Sequence, residues 1–178
     1  MKALICFIIL LPGLFAVNGQ QYKPVDDKSE VKFIIKNFGI NTNGSLAGLK
    51  GTIKFDPQNL SSSSFNVSVD VNTVNTDVDS RDSHLKKEEY FNVEKYPAIS
   101  FTSTNMSMEQ GKYKVTGNLT IKGVTKTISF PFTVEKQDNG LIMNGEFSID
   151  RKDFGVGGSS AVLSNTVNVD LKVYAVKV

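Results

Sequence analysis

The side chains that could do chemistry gather in one stretch, residues 77–91. It holds the only histidine of the chain, His84, beside Ser83 and Asp82. A nucleophile, a base and an orienting carboxylate must meet in space, and adjacency in sequence does not produce that geometry. The sequence therefore favours a histidine that caps or packs this segment, or contacts a ligand head group, over a catalytic base.

The same stretch carries three aspartates, Asp77, Asp79 and Asp82, and Ca²⁺ binds clustered carboxylate oxygens. A calcium-binding loop also needs a glycine at its turn and a bidentate glutamate, and neither stands at the required spacing. A zinc site built from histidine and cysteine is excluded too, because the only cysteine is Cys6. We therefore expect no metal, and we interpret the aspartates as caps or solvated surface.

Only two arginines occur, Arg81 and Arg151, and each stands close to an aspartate, Asp82 or Asp153. A guanidinium group presents a planar fork that pairs with a carboxylate or a phosphate. Two interpretations stay open at this point. The arginines form ion pairs that tie the segment around Arg81 to the last hairpin, or they lie near the head group of a ligand.

The elements that position these side chains alternate apolar and polar residues, as half-buried strands do. We predict eight strands, over residues 29–38, 45–55, 65–72, 98–106, 112–121, 125–135, 141–149 and 166–176. Residues 41–44 are predicted to form a turn, and residues 20–28 a polar lead-in. Strands that follow one another without a long helix predict an all-β fold, either an antiparallel up-and-down barrel or a sandwich.

The longest interruption, residues 81–97, is called the flap here. It contains a short charged piece with helical character (85–89) and the aromatic pair Tyr90-Phe91, and it ends at Tyr96-Pro97. A non-strand connection of this length in a compact β domain is usually functional. We predict a short helical flap between the third and fourth strands, over one end of a barrel.

Residues 1–19 combine a basic start at Lys2 with an apolar run that is too short to span a bilayer core of about 30 Å comfortably. We expect a signal peptide over residues 1–19, one domain over residues 20–178, and a periplasmic or secreted protein. The formal net charge is +2 and the charges are interspersed, which argues against nucleic acid as a partner. No further apolar stretch predicts a transmembrane segment.

An apolar face runs through the predicted strands. Its members are Phe33, Ile35, Ile53, Phe55, Val67, Val69, Val71, Phe101, Val115, Leu119, Phe130, Phe132, Phe147, Val169 and Leu171. On sequence alone an ordinary packed core is the better interpretation of these residues. The interior of an eight-stranded barrel either fills with side chains or holds one small ligand.

Three stretches carry multi-residue motifs, RDSHLKKEEYFNVEKYPAISFTST (81–104), GNLTIKGVTKTISFPF (117–132) and SIDRKDFGVG (148–157). From about Asp27 to Val178 the chain resembles the YceI-like family of periplasmic polyisoprenoid-binding proteins. The resemblance implies a lipocalin-like eight-stranded antiparallel barrel whose apolar face lines a ligand tunnel. It also implies a mouth and flap formed by Arg81, Asp82, His84, Tyr90, Phe91, Arg151, Asp153 and Phe154.

The function implied is non-enzymatic binding, transport or storage of a long-chain amphiphilic lipid, such as an isoprenoid quinone, a polyprenyl phosphate or a fatty amide. No cofactor is implied beyond a bound isoprenoid lipid, and a homodimer stays open. Many members carry histidines where this chain has Lys28 and Asn37, so haem or metal chemistry built on them is not expected. The alternative is a filled barrel that acts through its surface in envelope stress or assembly.

Overall fold

The computed structural model describes residues 20–178, so the expected signal peptide over residues 1–19 lies outside the described residues. The strands are β1 Gln20–Pro24, β2 Glu30–Asn37, β3 Ile40–Phe55, β4 Ser64–Asn75, β5 Ala98–Glu109, β6 Lys112–Ile121, β7 Val124–Gln137, β8 Gly140–Asp150 and β9 Leu163–Lys177. One α-helix, α1 Asp79–Leu85, lies between β4 and β5. Three single turns of 3₁₀ helix lie at Asp26–Lys28, Leu60–Ser62 and Arg151–Phe154.

The strands form one antiparallel sheet that closes on itself. From β2 to β9 each strand pairs with the next along the chain, and β9 pairs back with β2. The short β1 pairs with β3 on one side and β9 on the other, as β2 does. The strands β1 and β2 therefore share one strand position, and the barrel has eight positions. This topology confirms the predicted eight-stranded antiparallel lipocalin-like barrel.

The predicted polar lead-in over residues 20–28 is wrong. Tyr22 lies in β1, opposite Ile53 of β3 and Lys177 of β9, and its ring packs against the core. Burial raises the pKa of the Tyr22 phenol. A strand of five residues is too short to show the alternation of apolar and polar residues on which the prediction depended.

The predicted turn at residues 41–44 is also wrong, because β3 begins at Ile40 and the chain reverses at Phe38-Gly39. Asn and Gly are typical turn residues, which explains the error. Here Gly44 lies inside a strand opposite Phe33. A Cβ added at Gly44 would lie 2.2 Å from Cζ of Phe33, so the glycine makes room for that ring.

The helix of the flap region begins earlier than predicted, at Asp79 instead of Leu85. Asp79 and Asp82 lie in its first turn, where a negative charge is favourable near the helix N-terminus. It follows the fourth strand, not the third, because β1 adds a strand to the count. Among residues 20–178 no helix is long and apolar enough to cross a membrane.

Antiparallel order places two sets of connections at opposite ends of the barrel. One end, called the mouth here, carries the 38–39 turn, residues 76–97, the 122–123 turn and the 151–162 loop. The closed end carries residues 56–63 and the turns at 110–111 and 138–139. There Phe55 meets Tyr113 edge to face at 5.1 Å between ring centroids, and Phe132 lies 5.3 Å from Phe65. The aromatic rings therefore plug the closed end.

Candidate functional site

The barrel interior encloses a cavity of about 570 Å³. Its wall on β2 and β9 shows clear alternation: Phe33, Val169 and Leu171 face the cavity, whereas Glu30 and Asp170 are exposed and do not line it. The inward residues are only half-buried. An inward side chain that stays accessible must face open space inside the barrel, so this half of the interior is hollow.

Glycines on neighbouring strands explain why the phenylalanines leave the lumen open. The ring of Phe33 lies over Gly44, and the ring of Phe101 lies over Gly117, where an added Cβ would come within 2.5 Å of Cζ. Aromatic rings cover strand glycines in this way because the missing side chain leaves a flat surface. The rings therefore lie along the wall instead of crossing the barrel.

The floor of the cavity is formed by Ile53, Phe65 and Phe132, which line it and belong to the packed core. Below this floor, Phe55 and Val115 are buried in the closed end. The cavity is therefore blind, with access from the mouth. This geometry contradicts the alternative of a barrel filled along its whole length, although the closed end is filled.

Most residues of the predicted apolar face line the cavity. Those that do are Phe33, Ile35, Ile53, Val67, Val69, Phe101, Leu119, Phe130, Phe132, Phe147, Val169 and Leu171. Phe55, Val71 and Val115 do not. Val71 is buried next to the end of the flap, where its N–H donates to the carbonyl of Pro97 at 2.8 Å.

Sequence reasoning missed several lining residues. They include Leu46, Leu49, Ile99, Met143, Val156, Leu163 and Val167. Val167 extends the alternation of Val169 and Leu171, so its inward position could have been predicted from the sequence. Alternation could not predict the position of Leu49, because β3 shifts register against β4 between Ala47 and Lys50, next to the positive φ of Gly48.

Arg81 lies at the mouth and lines the cavity. Its Nε donates to Oγ1 of Thr76 at 2.7 Å, and its Nη2 donates to the Thr76 carbonyl at 2.6 Å. Asp82 holds Thr76 in turn, by accepting from its N–H at 2.9 Å and from its hydroxyl. Nη1 of Arg81 has no hydrogen-bond partner among residues 20–178, so this guanidinium is oriented and still has donors to offer.

Arg151 is buried, and it has a different role. Its Nε donates to the carbonyl of Ser164 at 2.9 Å, and its Nη1 donates to those of Val156 at 2.8 Å and Gly158 at 3.0 Å. Its Nη2 reaches two further oxygens at 3.5 Å, on Leu163 and Asn165. All five N–H groups are therefore used inside the protein, and Arg151 shapes the loop that borders the mouth.

The hypothesis of arginine–aspartate ion pairs is wrong for both arginines. Within residues 20–178 the salt bridges are Lys32–Glu30 and Lys114–Glu109, both on the surface. Neither Asp82 nor Asp153 lines the cavity. Among the described residues, therefore, neither guanidinium group is paired with a carboxylate.

His84, Tyr90, Phe91 and Phe154 all line the cavity near the mouth. The His84 ring meets Tyr90 at 4.9 Å between centroids, in an edge-to-face arrangement. In the described part of the chain no hydrogen bond joins the imidazole to a serine or a carboxylate, and no cluster of three His, Cys, Asp or Glu residues could hold a metal. Within residues 20–178 the arrangement offers a largely apolar interior, and Nη1 of Arg81 is a cationic donor at its mouth without a hydrogen-bond partner.

Hydrogen bonds fix the flap to the loops beside it. The Glu89 carbonyl accepts from the N–H of Gly157 at 2.9 Å and from Nζ of Lys122 at 3.2 Å. The Tyr96 ring lies against Gly123, where an added Cβ would come within 2.6 Å. The flap is therefore a structured part of the mouth.

Comparison with known proteins identifies the same architecture. The family model for the YceI-like domain matches residues 22–175. A UPF0312 protein of Pectobacterium atrosepticum is 33% identical over 154 residues, which cover 83% of this chain and 80% of that protein. The crystal structure of BcnA from Burkholderia cenocepacia superimposes with a TM-score of 0.79 at 26% identity, covering 83% of this chain and 96% of BcnA.

A polyisoprenoid binding domain from Saccharophagus degradans, implicated in plant cell wall breakdown, has a TM-score of 0.71. The match covers 88% of this chain and 98% of that domain. At 18% identity, this likeness supports the fold.

Proposed function

The chain belongs to the YceI-like family, and from this premise we propose that it binds one long-chain amphiphilic lipid inside the barrel, without catalysis. The observation that carries the proposal is the blind, largely apolar cavity of about 570 Å³. Sites for small molecules typically measure about 300 to 1,000 Å³. An acyl or prenyl chain gains about 0.8 kcal/mol for each CH₂ group that leaves water. About six to ten buried groups would supply about 5 to 8 kcal/mol before ordering costs.

The twelve apolar residues that were predicted and line the cavity are the proposed contacts of the lipid tail. The head group lies at the mouth, where Arg81 has an oriented guanidinium with Nη1 free among the described residues. A phosphate, a quinone carbonyl and an amide all offer an oxygen acceptor to this donor. The isoprenoid chain is favoured because a structural neighbour is described as polyisoprenoid-binding.

We place the protein in the periplasm or outside the cell, as a carrier or store of this lipid. The signal-peptide pattern of residues 1–19 supports export. The intact mass of the exported protein tests this placement. An intact mass that corresponds to a chain starting at Gln20 agrees with export, whereas a mass that includes Met1 contradicts it.

Native mass spectrometry of the purified protein tests lipid binding itself. We expect one bound species of extra mass that organic extraction removes, and the extract identifies the lipid. After extraction, added polyprenyl phosphate or isoprenoid quinone should restore a one-to-one complex. A protein that carries no lipid and takes up neither compound would contradict the proposal.

A matched pair of variants tests the head-group contact. Arg81→Met should weaken a polyprenyl phosphate about tenfold or more and the corresponding uncharged polyprenol much less, because only the phosphate forms a charge-assisted bond. Lys86→Met removes a nearby charge outside the cavity and serves as the control. Equal losses for both lipids, or for both variants, would exclude Arg81 as the head-group contact.

A further inference from the structure

Exposed apolar side chains are concentrated at the mouth. The large apolar residues with high exposure in the described chain are Phe38, Ile40, Val78, Met108, Val124, Val162 and Val178. All of them except Met108 and Val178 lie at the mouth. Phe38 and Ile40 are the most exposed, at 73% and 72%.

The turn that presents Phe38 has the backbone of two other turns of the barrel but a different kind of side chain. Phe38-Gly39, Gln110-Gly111 and Lys122-Gly123 share one backbone shape, with φ near +50° and then near +76°. This left-handed conformation costs a residue that carries a Cβ about 1 to 2 kcal/mol of conformational free energy. Gln110 and Lys122 are polar residues in that position, whereas Phe38 adds a bulky ring that is not buried. A strained and exposed aromatic residue points to a functional role.

Three of these exposed side chains, Phe38, Ile40 and Val162, form the group that we call the rim patch. The N–H of Phe38 donates to the Val162 carbonyl at 2.9 Å, which ties the turn to the 151–162 loop. Phe38 and Val162 also line the cavity. These two residues therefore lie at the outer edge of the cavity wall, and Ile40 follows the turn at the start of β3.

Charged residues are sparse around the rim patch. Residues 36–46 and 154–165 contain a single charged residue, Lys36, and no acidic one. Most acidic residues near the mouth lie in residues 77–94, and Asp150 and Asp153 lie where the 151–162 loop begins. The rim patch thus presents exposed hydrocarbon near the positive charge of Lys36, which suits a surface of apolar chains beneath phosphate groups.

We propose that the rim patch docks on a lipid bilayer, so that the lipid passes between membrane and cavity beside Phe38. This inference rests on the proposed function, because a carrier of an insoluble lipid must receive it from a membrane. Phe38 and Ile40 would enter the interface between head groups and acyl chains. A second copy of the chain is disfavoured, since three side chains fall far short of the roughly 1,200 Å² that stable protein interfaces bury.

Vesicle flotation tests the docking directly. The full chain as purified is mixed with phosphatidylcholine vesicles that contain no isoprenoid, with and without one fifth phosphatidylglycerol. We expect Phe38→Gln, which copies the Gln110-Gly111 turn, and Ile40→Thr each to lower the partition coefficient about tenfold, equivalent to about 1.4 kcal/mol. Met108→Gln removes an exposed apolar residue at the closed end and should leave partitioning unchanged.

A fluorescent reporter gives an independent readout. Residues 20–178 contain no cysteine, so in protein that starts at Gln20 Asn41→Cys and Lys112→Cys each accept one environment-sensitive dye, at the mouth and at the closed end. Vesicles should shift the emission of the dye at position 41 to the blue and not that at position 112.

Two results would overturn the inference. One is equal flotation of wild type and both rim variants. The other is sedimentation as a dimer that Phe38→Gln dissociates, with no vesicle binding, which assigns the patch to a second copy. Because flotation uses vesicles without isoprenoid, a protein that docks but carries no lipid would refute the proposed function and leave the docking intact.

Discussion

The two halves of the barrel are built from the same kinds of residue and are packed in opposite ways. At the closed end, Phe55, Tyr113 and Phe132 interlock, with ring centroids 5.1 to 6.1 Å apart. Toward the mouth, Phe33 lies against the wall over Gly44 and lines the cavity. Composition and alternation are alike in both halves, so neither decides whether a half is solid or hollow.

The difference between the halves follows the neighbours that two rings meet. Phe55 meets the ring of Tyr113 and packs across the closed end. Phe33 meets Gly44 and lies over it along the wall. An opposing glycine is not sufficient by itself, because Phe132 pairs with Gly145 and still packs in the closed end. Stability is therefore concentrated at the closed end, and the mouth half is free to hold a ligand.

Phe55→Ala should have the largest effect on stability. Phe55 is buried, contacts two rings and does not line the cavity, so its loss removes burial and leaves a void. We expect the free energy of unfolding to fall by about 3 to 5 kcal/mol. Denaturant unfolding measures it, and the loss should be the same with and without bound lipid. A loss below about 1 kcal/mol would show that the closed end is not the solid half.

Arg151→Met should have the next largest effect on stability. Hydrogen bonds stabilise the mouth half, whereas side-chain packing stabilises the closed end. The substitution removes donors from Val156, Gly158 and Ser164 at once. We expect a loss of about 2 to 4 kcal/mol in unfolding free energy. Arg81→Met is the control, with a loss of about 1 kcal/mol or less, since within residues 20–178 its guanidinium bonds only Thr76. Equal losses would mean that Arg151 does not organise the mouth.

Much of the barrel could be predicted from sequence because alternation is a local signal. Val67, Val69 and Val169 were assigned inward from alternation alone, and the structure places each of them on the cavity. Alternation fails where the backbone departs from a regular strand, as at Leu49 beside the positive φ of Gly48. It also fails for β1, whose five residues depend on pairing with two distant strands.

The site was harder to predict because its properties depend on contacts between distant residues. Proximity in sequence suggested that Arg151 pairs with Asp153, but the guanidinium turns to carbonyls of the following loop instead. The sequence likewise could not show that the interior is hollow. That property depends on Phe33 meeting Gly44 across two strands, which only the register defines.

Phe33→Ala sharpens the comparison, because it makes in the hollow half the same substitution that Phe55→Ala makes at the closed end. The ring of Phe33 is half-buried and borders the cavity, so its removal enlarges a cavity that is already there and creates little new void in packed protein. We expect a loss of about 1 to 2 kcal/mol in unfolding free energy without lipid, well below the cost of a filled core. Lipid affinity should fall at the same time. A loss of about 3 to 5 kcal/mol in lipid-free protein, unaffected by lipid, would make the barrel solid and defeat the carrier proposal.

Gly44→Ala should change the stability of the free protein least and still convert the hollow half toward the solid one. The new methyl group would occupy the place of the Phe33 ring, 2.2 Å from its Cζ, so the ring must swing into the lumen. Because the lumen has room, we expect unfolding free energy to change by no more than about 1 kcal/mol.

The displaced ring takes volume that the lipid tail needs, so lipid affinity should fall about tenfold or more. Gly158→Ala is the matched control, since an added Cβ at Gly158 meets no atom within 4 Å. Titration of lipid into both extracted variants gives the comparison. If Gly44→Ala binds lipid as tightly as Gly158→Ala, then the tail does not pass Phe33. The glycine would in that case serve the packing of the wall, with no part in keeping the lumen open for a ligand.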